Sequence, residues 1–136
     1  IYQKSQISKY WFLRGCSMLT NVHSSISSLG KLEKLDLYGC RSLTILASDY
    51  PLSENMKELR AQYTKVKAFP SSFGLQSRLK LLHLSGSDIE MLPSSIKKLT
   101  QLEILDVNYC KSIQTLLELP QFLKVYILAT ANHFRL

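Results

Sequence analysis

The sequence predicts an α/β solenoid: short parallel strands stacked along one axis, each followed by a tight turn and a returning segment. Three observations predict it. A template of apolar residues recurs through the 136-residue chain at spacings of 24, 24, 23, 23 and 21 residues. Within one copy, Leu102, Leu105 and Val107 sit at offsets 0, 3 and 5, and Cys110, Ile113 and Leu116 follow at intervals of three. A helix of 3.6 residues per turn would scatter these six round its axis, and strict alternation fits only Leu105 and Val107. One short strand followed by a winding turn fits all six. The third observation is Pro70-Ser71-Ser72-Phe73, repeated 23 residues later as Pro93-Ser94-Ser95-Ile96 and echoed by His23-Ser24-Ser25-Ile26.

Each element of the unit has a physical reason. Units begin at residues 8, 32, 56, 79, 102 and 123 of a single array spanning 1–136. Position 4 reads Trp11, Leu35, Leu59, Leu82, Leu105 and Tyr126, and position 6 reads Leu13, Leu37, Ala61, Leu84, Val107 and Leu128. These are the inward residues of a strand, paired in parallel with its neighbours at about 4.8 Å. Position 9 reads Cys16, Cys40, Thr64, Ser87, Cys110 and Ala131, small residues able to satisfy backbone groups buried where the chain turns. The returning half carries Leu43 and Leu46, Val66 and Phe69, Ile89 and Leu92, Ile113 and Leu116, which close the core from the convex side. Burying each leucine is worth roughly 1.5–3 kcal/mol once a neighbouring unit covers it.

In the Pro-Ser-Ser elements, proline opens a turn with φ already set, serine can cap, and Phe73, Ile96 and Ile26 tuck inward. One helical or 3₁₀ turn on the convex face is expected. The stretch from Ala47 to Asn55 breaks the pattern as an irregular loop, and 130–136 form an irregular tail without repeat signal. A 20–29-residue period of this kind is that of leucine-rich repeats.

Composition narrows the function. No apolar run approaches the ~20 residues of a membrane span, and no secretory leader opens the sequence at Ile1. The pattern starts and stops mid-unit, so a longer parent is expected, with apolar surface exposed at the ends of the array. Three cysteines do not make a disulfide framework, and Asn21, Asn55, Asn108 and Asn132 stand in no glycosylation sequon. A reducing, cytoplasmic setting is expected. The net charge of +7 is spread along the chain, with Lys97-Lys98 the only adjacent basic pair. A basic solvated surface explains it without nucleic acid.

Two stretches carry a family resemblance. SENMKELRAQYTKVKAFPSSF and LKLLHLSGSDIEMLPSSIKKLTQLEILDVNYCKSIQTLLELP resemble the leucine-rich repeats of plant intracellular immune receptors. The similarity is to the class with a Toll/interleukin-receptor domain and a nucleotide-binding domain. That family alternates an L-x-L-x-x-C-x-x-L unit, matched by 32–46 and 102–116, with an L-x-L-x-x-T-x-I-x-x-L-P-x-S-I unit, matched by 59–73 and 82–96. Leu117-Glu118-Leu119-Pro120 resembles the closing repeat, with Leu117 where proline is usual. The resemblance covers about 8–128 and implies a protein partner: a pathogen effector, a guarded host protein, or the receptor's own nucleotide-binding domain held inactive. Phosphate-binding and signalling segments are not among these residues, so no cofactor is expected here. A scaffold for a Ras-like GTPase and the substrate-receptor repeats of an F-box ubiquitin ligase are the alternatives.

Catalysis finds no support in the spacing. Cys16, Cys40 and Cys110 share one register without a C-x-x-C or histidine ligand set, so they read as inward thiols, not a metal site. His23, His83 and His133 have no carboxylate or nucleophile arranged by spacing. Position 2 reads Lys9, Glu33, Lys57, Lys80, Glu103 and Lys124, a ladder of neutralising pairs.

The outward strand residues are the candidates for function. Position 5 supplies Phe12, Asp36, Arg60, His83 and Asp106, position 7 supplies Arg14, Tyr38, Gln62, Ser85 and Asn108, and Tyr63 and Tyr109 stand beside them at position 8. Core geometry does not demand these types, and aromatic and arginine side chains dominate protein interfaces. Six strands make a strip about 24 Å long and about 300 Å² in area, against about 800 Å² per partner in a standard interface.

Overall fold

A computed structural model describes residues 9–22, 31–46, 53–69, 71–113, 123 and 125–127. Among these residues eight short strands follow in order: β1 (Tyr10–Phe12), β2 (Asn21–Val22), β3 (Lys34–Asp36), β4 (Ile45–Leu46), β5 (Glu58–Arg60), β6 (Leu81–His83), β7 (Ile104–Asp106) and β8 (Val125–Ile127). A six-stranded parallel sheet has the order β1-β3-β5-β6-β7-β8, and β2 pairs with β4 in a second, two-stranded sheet. Each coil lays one strand beside the strand of the coil before it, which is the solenoid the period predicts.

The register equals the repeat register. Trp11, Leu35, Leu59, Leu82, Leu105 and Tyr126 stand side by side across the large sheet. Of these, Trp11, Leu35, Leu59, Leu82 and Leu105 are buried. Leu13, Leu37, Ala61, Leu84 and Val107 are buried two residues on, because alternate side chains share one face of a strand. The returning Leu43, Leu46, Val66, Phe69, Ile89, Leu92 and Ile113 close the same core. Inter-coil bonding runs past the strands: the amides of Gly15, Gly39, Tyr63 and Gly86 donate to Tyr38, Gln62, Ser85 and Asn108 carbonyls at 2.7–3.0 Å.

Position 9 satisfies the turn carbonyls as expected. Cys40 Sγ donates to the Leu13 carbonyl and Cys110 Sγ to the Leu84 carbonyl, each 3.0 Å away in the preceding coil. Thr64 Oγ1 instead bonds the Ala61 carbonyl of its own coil at 3.0 Å. Cys40 and Cys110 are buried, but Cys16 is only half-buried. The expectation of three equally buried thiols is corrected there: Cys16 follows β1, the edge strand of the sheet.

Among the described residues two 3₁₀ helices, Ser71–Leu75 and Ser94–Lys98, lie on the opposite side, with Phe73 and Ile96 buried beneath them. Serine capping is not what shapes the second. Pro93 occupies the N-cap of the second helix with no side-chain cap bond, and Ser72 Oγ and Ser95 Oγ are buried without a hydrogen-bond partner. Serine is there for its size. A Cβ on Gly74 would lie 2.7 Å from Ser95 Cβ and 2.9 Å from its carbonyl oxygen, so adjacent helices abut too closely for larger residues.

Of the expected irregular loop, 47–52 lie outside the described residues. At its end Ser53 is buried, and its Oγ accepts the Asn55 amide at 3.3 Å. His23, Ile26, Leu116 to Pro120, Leu128 and the 130–136 tail also lie outside them.

Candidate protein-interaction face

Ladder pairing sets position 5 in one row: Phe12, Asp36, Arg60, His83, Asp106 and Ile127 are consecutive neighbours. Phe12 is 66% exposed, whereas Arg60, His83 and Asp106 are half-buried. Asp36 departs from expectation. It is only 7% exposed, although a fully outward carboxylate was predicted. Its Oδ1 folds back to accept the Tyr38 amide at 3.0 Å, an Asx-type bond, and Arg14 covers Oδ2 at 3.5 Å. Asp106 makes the same local bond to the Asn108 amide at 2.9 Å. Aspartate at position 5 therefore serves the turn as well as the surface.

His83 also gains a partner that spacing did not reveal. Its Nδ1 lies 3.3 Å from Asp106 Oδ2 in the next coil. Burial, then the charge of Arg60, hold the imidazole below its ordinary pKa despite the opposing Asp106 carboxylate. The neutral ring donating Nδ1–H to Asp106 fits that balance.

The position 2 ladder forms around Glu33. Glu33 lies 2.6 Å from Lys57 and 3.6 Å from Lys9. The Lys57 hydrogen bond holds the Glu33 carboxyl below its ordinary value against the opposing effect of burial, helped by both lysine charges. One strand residue over, Glu58 pairs with Lys34 at 3.4 Å and Arg60 at 3.6 Å.

Beside these rows runs an aromatic rim. Arg14 is exposed and sits 4.5 Å over the Tyr38 ring, and Tyr38 meets Tyr63 edge-on at 5.4 Å. Gln62, Ser85 and Asn108 are half-buried between these larger groups. Tyr38, Tyr63 and Tyr109 are 37%, 43% and 51% exposed. The backbone at position 8 is left-handed in every described coil: φ is 71° at Gly15, 73° at Gly39, 56° at Tyr63, 69° at Gly86 and 58° at Tyr109. Glycine adopts this freely, while each tyrosine costs about 1–2 kcal/mol. Tyr63 lies across Gly86, where any Cβ would enter its ring.

Beyond that contact a groove of about 400 Å³ is lined by Tyr63, Gly86, Ser87, Asp88, Tyr109, Lys111 and Ser112. Gly86, Asp88 and Lys111 were absent from the sequence candidates. The alternation of Gly and Tyr at position 8 was the available signal, because a coil with glycine opens a gap between two with tyrosine. Among the described residues no group of three or more His, Cys, Asp or Glu could hold a metal ion, and no helix is long and apolar enough to cross a membrane.

The fold has solved relatives. A leucine-rich-repeat protein of Leptospira interrogans superposes with a TM-score of 0.60 at 23% identity, over 72% of this chain and 28% of that one. The chain is a leucine-rich-repeat-type solenoid. Stacked repeats of this kind present a continuous strand face, the extended surface that such solenoids use for binding. No protein-family model matches the chain. It is nonetheless related at low identity to plant disease-resistance proteins. It is 33% identical over 108 residues to Disease resistance protein RPP2A of Arabidopsis thaliana, covering 79% of this chain. It is 34% identical over 92 residues to Disease resistance protein RPS6 of the same plant, covering 68%. The solenoid spans 8% of the length of each of these relatives.

Proposed function

We propose that this solenoid is a recognition segment of a cytoplasmic plant disease-resistance receptor. Its strand face and aromatic rim contact a pathogen effector or a guarded host protein. In the resting receptor they help restrain the nucleotide-binding domain. One observation carries the reading: Arg14, Tyr38 and Tyr63 form a contiguous, half-exposed run beside the strands that no core requirement explains. Rigid aromatic and guanidinium groups of this kind supply most of the energy of protein interfaces. The likeness to plant disease-resistance proteins supports the immune setting.

The test uses the receptor that carries these repeats. Tyr38→Ala and Arg60→Glu are expected to abolish the triggered defence response at unchanged protein level by immunoblot. A full response from a combined Tyr38→Ala, Arg60→Glu variant of normal abundance would place recognition on another surface.

A further inference from the structure

We propose that the groove between Tyr63 and Tyr109 is a pocket for a single arginine side chain presented by the protein partner. The inference rests on the rim being a recognition surface and adds the chemistry it selects. Three observations carry it.

The walls are aromatic. Tyr63 and Tyr109 stand two coils apart at position 8, and Gly86 between them leaves the gap. Both tyrosines are held in a backbone conformation that the other described coils reserve for glycine, an arrangement found at ligand clamps.

The groove also holds an acid. Asp88 lines it and joins none of the ion pairs among the described residues. A guanidinium stacked on a tyrosine face with its N–H groups on a carboxylate satisfies both features at once.

The chain already builds that arrangement elsewhere. Arg14 lies 4.5 Å over Tyr38 while its Nε is 3.5 Å from Asp36. The groove presents the same tyrosine and carboxylate without an arginine of its own. Its only base is Lys111, which neighbours Asp88 in the repeat register yet forms no ion pair with it. Lysine lacks the planar fork that stacks and donates together, so an incoming arginine outcompetes it.

The probe is Nα-acetyl-arginine amide, titrated in the millimolar range into the 136-residue chain with tyrosine ring signals followed by NMR. Saturable shifts at Tyr63 and Tyr109 are expected, weaker with the lysine analogue and absent with the glutamate analogue. Asp88→Asn, which keeps the shape, and Tyr109→Gly, which restores the residue its backbone favours, should each weaken binding about two- to fivefold. Lys111→Ala should tighten it. No saturable shift, or binding indifferent to both weakening variants, overturns the proposal. Tighter binding of the glutamate analogue, lost in Lys111→Ala, also overturns it and makes the groove an anion site. The receptor assay fails separately: arginine binding beside an intact response in the Tyr38 and Arg60 variants would keep the pocket and remove the recognition reading.

Discussion

Cys40 Sγ reaches 3.0 Å to the carbonyl oxygen of Leu13, tying two successive coils together at their turn. Cys110 repeats the contact with Leu84, and its sulfur also lies 3.7 Å from Ser87 Oγ. Burial pushes both thiols above their ordinary pKa, so neither is a ready thiolate.

Thiol labelling of the native chain should therefore be ordered. Cys16, half-buried beside the edge strand, should react first, with Cys40 and Cys110 reacting only on denaturation. Mass spectrometry of a labelling time course checks this, and early modification of Cys40 would contradict it. Cys40→Ala and Cys110→Ala should each cost about 1–2 kcal/mol in denaturant unfolding, because a bonded lone pair on a buried carbonyl is left empty.

Core and face should separate cleanly in a melt. Replacing Leu35, Leu59, Leu82 or Leu105 by Ala should cost about 2–5 kcal/mol, the cost of a cavity between coils. Arg60→Ala should change stability by no more than roughly 0.5 kcal/mol. Asp36→Ala belongs between them, at about 1–2 kcal/mol, because it strips the acceptor from the Tyr38 amide.

Gly86 should tolerate no side chain while Tyr63 is present. Gly86→Ala should lower stability by about 1–2 kcal/mol or more, combining left-handed strain with entry into the ring. In a Tyr63→Gly background the penalty should shrink to the strain alone. A double-mutant cycle measures the difference, and additive costs would mean that the ring moves aside freely.

Acid should destabilise the solenoid in part through His83. Its folded pKa lies below the ordinary 6.5, so the unfolded chain binds the proton more readily. The stability this contributes is complete above about pH 6.5 and is lost as pH falls through the folded value. Glu33, lowered from 4.5, adds a second loss in the same direction at lower pH. Melting temperatures from about pH 7 to about pH 5 should fall less in His83→Gln than in the parent. Identical slopes would remove His83 from the account.

Sensitivity to a charge reversal at the ladder is the last expectation. Glu33→Lys would set four lysines in consecutive coils at position 2, since Lys9 precedes it and Lys57 and Lys80 follow. Its melting temperature should fall at low salt and partly recover at high salt, as screening requires. A salt-independent change would mean that packing of the Glu33 stem dominates.

The inward rows, the strand register and the side on which the 3₁₀ turns lie followed from sequence alone. Period and side-chain alternation are local properties, and stacking merely repeats them. Cys40, Thr64 and Cys110 were legible as turn residues for the same reason, although which carbonyl each bonds was not. Tertiary structure decided everything that depends on how one coil's side chains lean over the next. Asp36 turned back onto its own turn beneath Arg14, His83 met a carboxylate 23 residues away, and Ser95 proved small because Gly74 abuts it. The groove arose because Tyr63 lies across Gly86 while Tyr109 stands one coil further on. A repeat register says which residues are neighbours, but side-chain torsions and cross-coil contacts choose which neighbours touch.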